Sequence, residues 1–505
     1  DDQRGSDGAR RLVKMWVRAK EGISSMQLIA FFVLVSSSIS MFVFINAAQP
    51  SLLRPILDGN ASSHSPQEST AKKSDIGTIS GQILLYAEIT AMISGAVMGT
   101  LSDSLGRRVL FSFGLFVCSV TTAMLATSAS VEDIFLWRCL FAIGAGTLGA
   151  MVTAVLADMF EEEDKGKASG LVGFFAGLGA VFGALVLLRV PEWAFKLSSG
   201  RMTQLAAVHC GYYTAATIAL LASMLALFAL RPPTVGQASR HHGKEEAGVT
   251  ALLRSSSSGR EAMKLGWERT RLSLLEALHA TRQDLAILLA LLASFAGRGD
   301  SASITVFLSL WVSDYSRDVL HSTGSQATAT AGMVTGIVQL AALLSAPLIG
   351  RWVDKVGDVR SMASSSLLAT LAYGSLGLLV VNPAGPLGLL LGVVVGMAEM
   401  GVVVTCQFLM SRRAPEKSRG TLSGAFGVSA SLGILCVGAL GGIVYDKVGY
   451  GAPLVMVGIV NLVVCCFSLI VLHVQGTFKP ELHKQDDGEA ILAQDSLSFS
   501  SGTTV

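Results

Sequence analysis

The sequence contains few charged residues and few of the patterns that accompany catalysis. Of its 505 residues only 15% are charged, against roughly a quarter in ordinary soluble domains. It has no nucleotide-binding loop of the form G-x-x-x-x-G-K-[ST], no His-rich metal cluster and no nucleophile elbow. An ATP-driven pump is therefore disfavoured, the chain is not expected to be an enzyme, and neither a metal nor another cofactor is expected.

Cysteine usage and net charge also point to no special partner. The seven cysteines all fall inside apolar runs, and no C-x-x-C or Cys/His spacing occurs. Buried cysteines of this kind behave as small hydrophobic side chains, so neither disulfides nor a metal site is indicated. The net charge of +2 gives no reason to expect nucleic acid as a partner.

Apolar residues are abundant and are arranged in long runs. They make up 51% of the chain, and the mean hydropathy is +0.57. The runs are each about twenty residues long, the length that an α-helix needs to cross roughly 30 Å of hydrocarbon. The 53 glycines suit closely packed membrane helices. Twelve runs are predicted to span a bilayer, at 26–48, 77–101, 109–130, 134–157, 168–190, 206–230, 285–312, 328–350, 362–381, 386–410, 421–444 and 451–474.

The runs form two sets of six, separated by a charged, Ser-rich stretch. The first run has no A-x-A site after it and is interpreted as an uncleaved span rather than a signal peptide. The predicted segments are a basic N-terminal segment at 1–25, a six-helix bundle at 26–230, a linker at 231–284, a second six-helix bundle at 285–474 and a disordered tail at 475–505.

The distribution of Lys and Arg predicts the orientation. The segments on the same side as the two termini hold 28 of these residues and the opposite side holds 8. Since positive residues accumulate on the cytosolic side, both termini are predicted to be cytosolic. The sequon Asn60-Ala61-Ser62 falls in the first external loop, where Asn60 is a candidate glycosylation site. The sequence is compatible with location in a plasma membrane or in a vacuolar or other endomembrane.

Two loops repeat between the halves of the chain. Gly99, Asp103 and Gly106 follow the second run, and Gly350, Asp354 and Gly357 follow the eighth, each 251 residues later. This repeat predicts an all-α membrane protein of two pseudo-symmetric bundles with the same orientation. Parallel halves of this kind place a solute site between them, near the middle of the membrane.

The first of these loops resembles a signature of the major facilitator superfamily. Gly99-Thr-Leu-Ser-Asp103-Ser-Leu-Gly106-Arg107-Arg108 is similar to the family pattern G-x-x-x-D-x-x-G-R-R and lies where that pattern belongs, between spans two and three. The resemblance implies a monomeric transporter of a small solute that alternates access between two bundles. It further implies that Asp103, Arg107 and Arg108 form a gate, for which Asp158 is a candidate partner.

Span five resembles the drug/proton antiporters of that family in part. Gly170, Gly179 and Gly183 match the start of their signature, whereas Ala184 replaces its Pro and Leu187-Leu188 replaces its Gly-Gly. The twelve-span drug/proton exchangers are therefore the nearest members by motif, and antiport is only partly supported.

Several polar or ionisable residues lie inside the predicted spans, where burial is costly and function is the usual reason for retention. Intramembrane acids are candidates for proton binding, and a mixed set of charges also suits an anionic or zwitterionic solute. A fixed Arg–carboxylate pair, such as Arg298 with Glu399, is the structural alternative. The candidates for proton coupling or for the substrate cavity are Glu88, Arg138, Arg298, Asp300, Glu399, Asn46 and Gln49.

The predicted function is secondary transport of a small organic solute, coupled to protons, with the lipid bilayer as the protein's surroundings. A facilitative uniporter and a transport-inactive, receptor-like membrane protein of the same fold are the alternatives. Arg138 is assigned either to proton transfer, as the family resemblance implies, or to holding helices together. Gln49-Pro50 either contributes to a solute site or ends the first helix.

Overall fold

The computed structural model describes residues 19–20, 23–61, 75–161, 165–199, 201–230, 279, 281–415 and 419–499. Within these ranges, the side chains of residues 58–61, 103–104, 165–166, 419–420 and 476–499 are outside the description. The side chains of the predicted glycosylation site Asn60 and of Asp103 therefore lie outside the description, as do nearly all of the linker and of the N-terminal segment. The segment boundaries predicted for these regions stay predictions.

The described part of the chain is helical and has twelve candidate membrane spans, which confirms the number predicted. Its one β-type pairing is an isolated bridge between Ala19 and Phe160. We number the spans in chain order. The helices that form spans 1 to 12 are Ser25–Ala61; Ile76–Leu105; Arg107–Leu125; Val131–Met159; Lys165–Leu185 with Leu187–Arg189 and Val190–Leu197; Gln204–Ala229; Leu285–Ala302 with Ser303–Leu308 and Ser309–Asp318; Gly324–Val356; Asp358–Leu379; Pro386–Arg413; Arg419–Lys447; and Ala452–Phe499.

Span 1 continues well beyond the proline at which it was predicted to end. Its helix contains Pro50 and Pro55 and runs to Ala61, so the interpretation of Gln49-Pro50 as a helix end is wrong. Neighbouring hydroxyl groups satisfy backbone groups near such a proline in membrane helices. Here the Ser51 hydroxyl donates to the Ala48 carbonyl at 2.6 Å, and the Ser309 hydroxyl of span 7 donates to the Ala47 carbonyl at 3.1 Å.

The two repeated loops have the same backbone conformation. Gly106 has φ +89° and Gly357 has φ +93°, values that side chains other than hydrogen rarely allow. Each glycine donates its N–H to the carbonyl four residues earlier, at 3.0 Å in both loops. The sequence repeat therefore corresponds to a structural repeat, because both loops make the same sharp turn between antiparallel spans.

The two halves share one packing arrangement. In the first half, span 1 packs on spans 5 and 6, span 2 on span 4, and span 3 on spans 4 and 6. In the second half, span 7 packs on spans 10, 11 and 12, span 8 on span 10, and span 9 on spans 10 and 12. Each contact of the first half thus has a counterpart six spans later, and the extensive contact of span 7 with span 10 is a feature of the second half. Spans 2 and 11 and spans 5 and 8 form most of the interface between the halves.

The interface is tight at one face of the molecule. We call the face that carries the start of span 1 and the loops after spans 2, 4, 8 and 10 the terminal face, and the opposite one the far face. Near the far face a methyl group added to Gly77 would lie 2.6 Å from the Tyr445 ring, and one added to Gly332 would lie 2.6 Å from the Ala184 carbonyl oxygen. Spans 2 and 11 and spans 5 and 8 are thus in backbone contact there.

The same four spans are apart at the terminal face. Five glycines near these helix ends have open space beside them: a methyl group added there would meet no atom of the described residues within 4 Å. They are Gly170 and Gly173 of span 5, Gly350 of span 8, and Gly424 and Gly427 of span 11. Because the same helix pairs are tightly packed at the far face, the halves splay apart toward the terminal face. The structure is closed at the far face and open at the terminal face.

The helix of span 12 extends past its apolar part. Its candidate membrane span is Ala452–Gln475, and helical backbone continues to Phe499, through the segment for which the sequence predicts disorder. The residues after 475 include helix formers such as Glu, Gln, Lys and Ala, which permit this conformation.

Candidate functional site

Arg138 is buried in the first half and joined to span 1. Span 4 begins at a capping box, in which the Ser130 hydroxyl and the Asp133 carboxylate bond each other's backbone N–H groups. Two turns later Arg138 is only 4% exposed and donates to Asn46 Oδ1 at 2.7 Å. Its guanidinium carbon also lies 5.8 Å from the centre of the Phe141 ring, a favourable cation–π arrangement.

This contact brings together two of the predicted site residues. Asn46 is half-buried, so its amide faces Arg138 while part of the side chain stays accessible. Gln49 is buried one turn further along span 1. Arg138 Nε has no hydrogen-bond partner among the described residues, so the arginine both links spans 1 and 4 and retains an unused donor.

Asp300 lies at the centre of the second half. It is fully buried, and its Oδ1 accepts a bond of 2.8 Å from Asn461 Nδ2 of span 12. Its other oxygen has no hydrogen-bond partner in the part of the chain that the structure describes. The backbone of span 7 becomes a π-helix directly afterwards, at Ser303–Leu308, and such irregular turns are frequent at functional sites.

Glu399 is buried in the same half, on span 10. It is 6% exposed, and its Oε1 accepts a short hydrogen bond from the Ser301 hydroxyl of span 7. No described residue forms a hydrogen bond with its Oε2. Ser301 was not singled out from the sequence, because a serine inside an apolar run carries no pattern of its own.

The pairing of Arg298 with Glu399, considered as the structural alternative, is not formed among the described residues. No ion pair within 4.0 Å joins them; the Arg298 side chain is exposed, although it lies within electrostatic range of Glu399. Both residues belong to the second half, so a pair between them would not connect the halves. An exposed arginine in the middle of a span is costly in lipid, which favours a position facing the opening between the halves.

Glu88 connects the two halves near the middle of the interface. It lies on span 2, half-buried, and its Oε1 accepts a bond of 2.7 Å from the Ser431 hydroxyl of span 11. Because Glu88 and Ser431 are 343 residues apart in the chain, the contact could not be predicted from the sequence. Glu88 is therefore an interface residue, whereas Arg138 and Glu399 each lie within one bundle.

The terminal-face motif contains a salt bridge inside the first half. Arg107 Nε lies 3.1 Å from Asp158 Oδ2, which confirms the expected partner, and Arg107 also contacts the Ser102 hydroxyl. Arg108 is half-buried beside it. The contacts of the Asp103 side chain lie outside the description, so its predicted gating role stays a prediction.

The second half repeats this salt bridge with the charges exchanged. Asp358 occupies the position 251 residues after Arg107, at the start of span 9, and accepts a bond of 2.6 Å from Arg413 at the end of span 10. A salt bridge thus joins span 3 to span 4 and another joins span 9 to span 10 at the terminal face. The arginine is on the first span of the pair in the first half and on the second span of the pair in the second half. Asp354, the residue matching Asp103, is exposed.

A buried cluster at the far face joins the two halves and was not predicted. Arg54 of span 1 lies 2.6 Å from Asp314 of span 7 and 3.6 Å from Asp318. Tyr445 of span 11 donates to Asp314 at 2.8 Å. Asp314 is fully buried, and Arg54 is 6% exposed. We call Arg54, Asp314, Asp318 and Tyr445 the far-face cluster.

The cluster was not predicted from the sequence because both charged partners lie just beyond the predicted apolar runs. Arg54 follows the first run by six residues and Asp314 follows the seventh by two, so both were assigned to loops.

A further carboxylate joins the halves at the far face. Asp446 of span 11 accepts hydrogen bonds from the N–H groups of Gly77 and Thr78 at 2.9 and 2.6 Å. A carboxylate at the start of a helix is favourable, and here it holds the start of span 2 against the other half.

Two like bundles of six spans, with buried charged groups in each and an opening between them at one face, define the fold of a polytopic membrane transporter. The sequence profile of the Major Facilitator Superfamily matches residues 28–427 and, in a second match, 290–500. The chain belongs to this family, whose fold and members are those of transporters rather than enzymes.

Among its relatives is the magnetosome protein MamH of Paramagnetospirillum magneticum, 23% identical over 78% of this chain and 84% of the relative. Magnetosome protein MamZ of the same organism is 24% identical over 78% of this chain, which spans about half the relative's length (56%). Multidrug resistance protein 1 of Bacillus subtilis is 25% identical over 58% of this chain and 63% of the relative. The xylose transporter XylE from E. coli, in an inward open conformation, has a TM-score of 0.60 at 18% identity, covering 88% of this chain and 96% of XylE.

Proposed function

We propose that the protein is a secondary active transporter that moves a small organic solute by alternating access and is coupled to protons. The observation that carries this proposal is the splayed arrangement of two bundles, closed at the far face and open at the terminal face, with buried charges in each bundle between those faces. An opening from one side to buried polar groups suits a transporter caught in one of its two access states. With the termini cytosolic, as the positive residues predict, this state is inward-facing in a plasma membrane or endomembrane.

In this proposal the far-face cluster is the external gate. A buried ion pair is costly to break when one partner is removed, and the pair of Arg54 with Asp314 joins the halves at the end that must part for outward opening. The motif residues Asp103, Arg107 and Arg108 form the opposite gate, which the resemblance to the family implies. In the inward-facing state Arg107 is bonded to Ser102 and Asp158 of its own half.

The solute site lies between Arg138 and Asn46 in the first half and Arg298 and Glu399 in the second. Arginine and carboxylate groups on opposite walls favour a solute that carries a negative charge, alone or together with a positive one. An organic solute agrees with the relative named as a multidrug resistance protein. Three acids, Glu88, Asp300 and Glu399, are then the candidates for proton binding, since membrane-embedded acids commonly mark proton relays.

The first experiment identifies a solute without assuming its chemistry. Purified protein is screened for thermal stabilisation against organic anions and zwitterions at two pH values, because a ligand that binds the native state raises its stability. A hit is then carried into liposomes, and its flux is measured with and without an imposed pH gradient. Accumulation driven by the gradient supports the proposal, whereas flux that ignores the gradient indicates a facilitative uniporter.

Matched variants assign the residues. Glu399→Gln keeps the size and the hydrogen-bond acceptor of the side chain but removes its ionisation, so gradient-driven accumulation is expected to vanish. Glu192→Gln makes the same change at the far face, where Glu192 pairs with Lys196 one helical turn away, at 2.6 Å, and is expected to leave transport unchanged. Equal loss in both variants, or binding without flux in the unmodified protein, would contradict the assignment; the second outcome favours a receptor-like protein.

A further inference from the structure

The side-chain amide of Asn46, on span 1, has an orientation that is fixed by its neighbour. Arg138 of span 4 donates to Asn46 Oδ1 at 2.7 Å. A guanidinium carries five N–H donors and no acceptor, so it can form a hydrogen bond with the oxygen of the amide but not with its nitrogen. The NH2 group of Asn46, with its two N–H donors, is therefore directed away from Arg138.

Arg138 is in turn held in place by aromatic rings. Its guanidinium carbon lies 5.8 Å from the centre of the Phe141 ring, a favourable cation–π distance. The Phe141 ring meets the Phe42 ring edge-on, with 6.1 Å between the ring centres, and Phe42 lies one turn before Asn46 on span 1. These four side chains form a closed set of contacts between spans 1 and 4, which leaves the amide of Asn46 one orientation.

The NH2 group of Asn46 faces the opening between the halves. Asn46 is half-buried; among the described residues none accepts a hydrogen bond from its Nδ2, and this atom is not buried. Span 1 is the most buried of the twelve candidate spans, so the middle of this helix is surrounded by protein rather than by lipid. An accessible polar atom at that depth therefore lies at the space that is open toward the terminal face.

The positive charge of Arg138 is not neutralised by a carboxylate. The residue is 4% exposed, and no acidic side chain of the described residues acts on it. An aspartate at position 46 would bond the guanidinium more strongly and neutralise its charge. Asparagine instead retains that charge and places two N–H donors between it and the opening. The pair therefore suits an oxygen acceptor that carries a partial or full negative charge.

We propose that Asn46 is a specificity-determining residue whose NH2 group binds an oxygen acceptor of the solute, a carbonyl or carboxylate group. Arg138 is then a positioning residue, which fixes the amide and supplies the positive charge behind it. The inference rests on the proposed function in taking the bound molecule as the transported solute. It assigns a hydrogen-bond acceptor to the part of the solute that meets the first half, and it excludes an ammonium group from that position.

The first test needs no solute. A single cysteine replaces Asn46 in a chain without its seven native cysteines, and the purified full-length protein reacts with sulfonatoethyl methanethiosulfonate, an anion, or with trimethylammonioethyl methanethiosulfonate, a cation. Each rate is divided by the rate of the same reagent with free mercaptoethanol. We expect the anionic reagent to be favoured about tenfold, because it approaches the uncompensated charge of Arg138. The preference should vanish in Arg138→Gln.

The second test examines the N–H donors themselves. Thermal stabilisation is measured with three probes that share one ring: benzoate and benzamide, which carry an acceptor oxygen, and benzylamine, which as an ammonium carries donors alone. Asn46→Asp keeps an oxygen that accepts from Arg138 but removes the NH2 group. We expect it to raise the half-saturating concentrations of benzoate and benzamide about tenfold, and to leave the Tm without a probe unchanged or higher. A side chain that merely joins two helices would lose nothing in this variant, because its bond to Arg138 is retained.

The matched control is Asn382, a second half-buried asparagine, which lies in the far-face loop after span 9. Its Oδ1 accepts from the Ala384 N–H at 3.0 Å, so Asn382→Asp also keeps the acceptor in use and removes an NH2 group. This variant should leave probe binding unchanged, and Asn382→Cys should show no preference for the anionic reagent. If Arg138→Gln fails to fold, the comparison of Asn46→Cys with Asn382→Cys still measures the preference.

Two outcomes would overturn the inference. One is an Asn46→Cys protein that reacts with neither reagent or equally with both; the other is unaltered binding of benzoate and benzamide in Asn46→Asp. If none of the three probes stabilises the protein, the labelling rates decide alone. Altered binding in Asn46→Asp without any flux in liposomes would instead contradict the proposed transport and leave the acceptor site in place.

Discussion

Replacing Asp314 by asparagine removes the buried negative charge that joins the two halves at the far face. Asp314 accepts from Arg54 at 2.6 and 3.0 Å and from Tyr445 at 2.8 Å. Asparagine keeps the shape and one acceptor oxygen, but it leaves the Arg54 guanidinium with Asp318 alone, 3.6 Å away. The substitution therefore destabilises the conformation that is closed at the far face. A conformation open at that face lacks this interaction, so the substitution does not affect its stability.

The size of the effect follows from the burial of the pair. Removing one partner of a buried ion pair costs about 3–5 kcal/mol, and the remaining contact with Asp318 offsets part of it, so we expect a loss of roughly 2–3 kcal/mol. A difference of that size changes the ratio of two conformations by about 30- to 150-fold. Asp314→Asn should therefore shift the protein measurably toward opening at the far face.

The measurement is the distance between spin labels in a cysteine-free background. One pair, at Leu197 and Val448, reports the far face, and both side chains are highly exposed, at 90% and 75%. A second pair, at Leu105 and Ser411, reports the terminal face. In Asp314→Asn a population at longer distance should appear for the first pair and one at shorter distance for the second.

The matched control is Asp318→Asn, which removes the more distant and more exposed partner of Arg54. Exposed ion pairs contribute about 0–1 kcal/mol, so this variant should leave both distance distributions nearly unchanged. Distances in Asp314→Asn that equal those of the unmodified protein would refute the far-face cluster as a gate. The same shift in both variants would show that the effect does not come from the buried pair.

Three further changes probe the interface and the repeated loop. Glu88→Gln keeps the acceptor for Ser431 but cannot ionise; solute flux in liposomes should become insensitive to a pH gradient, and an unchanged gradient dependence would exclude Glu88 from coupling. Gly81→Ala places a methyl group against a backbone carbonyl of span 11, so overpacking should cost about 1–3 kcal/mol and lower Tm, whereas Gly424→Ala, with open space around it, should not. Gly106→Ala imposes a side chain at φ +89° and should cost at least about 1–2 kcal/mol; a Tm equal to that of the unmodified protein would show that the turn tolerates another conformation.

Much of the fold was predictable because a bilayer imposes a simple requirement on sequence. A helix that crosses hydrocarbon must satisfy its backbone internally and present about twenty apolar residues. The predicted runs therefore coincide with the spans to within a few residues for most helices. The turn at Gly106 was predictable from its repeat at Gly357, and the salt bridge of Arg107 with Asp158 from two charged residues close to neighbouring loop ends.

The contacts between the halves were not predictable in the same way. Arg54 and Asp314 are 260 residues apart, and each lies just beyond an apolar run, where a charge looks like an ordinary loop residue. The extension of span 1 past Pro50 was missed for a related reason. Of the two serine hydroxyls that bond backbone carbonyls near this proline, Ser51 is local but Ser309 comes from span 7, so part of the support for this helix lies outside its own sequence.

The charged residues inside the spans illustrate which features can be predicted from the sequence and which require the structure. Hydropathy and the cost of burying charge were enough to single out Arg138, Asp300 and Glu399 as residues that must face protein or water. Whether two such residues meet depends on helix rotation and on how the bundles pack, and these follow from the fit of small side chains over the whole interface. The sequence by itself therefore determined the twelve spans, the two like halves and the buried charges; only the tertiary structure decided that Glu88 reaches Ser431, that Arg298 remains unpaired with Glu399, and that the halves are closed at the far face.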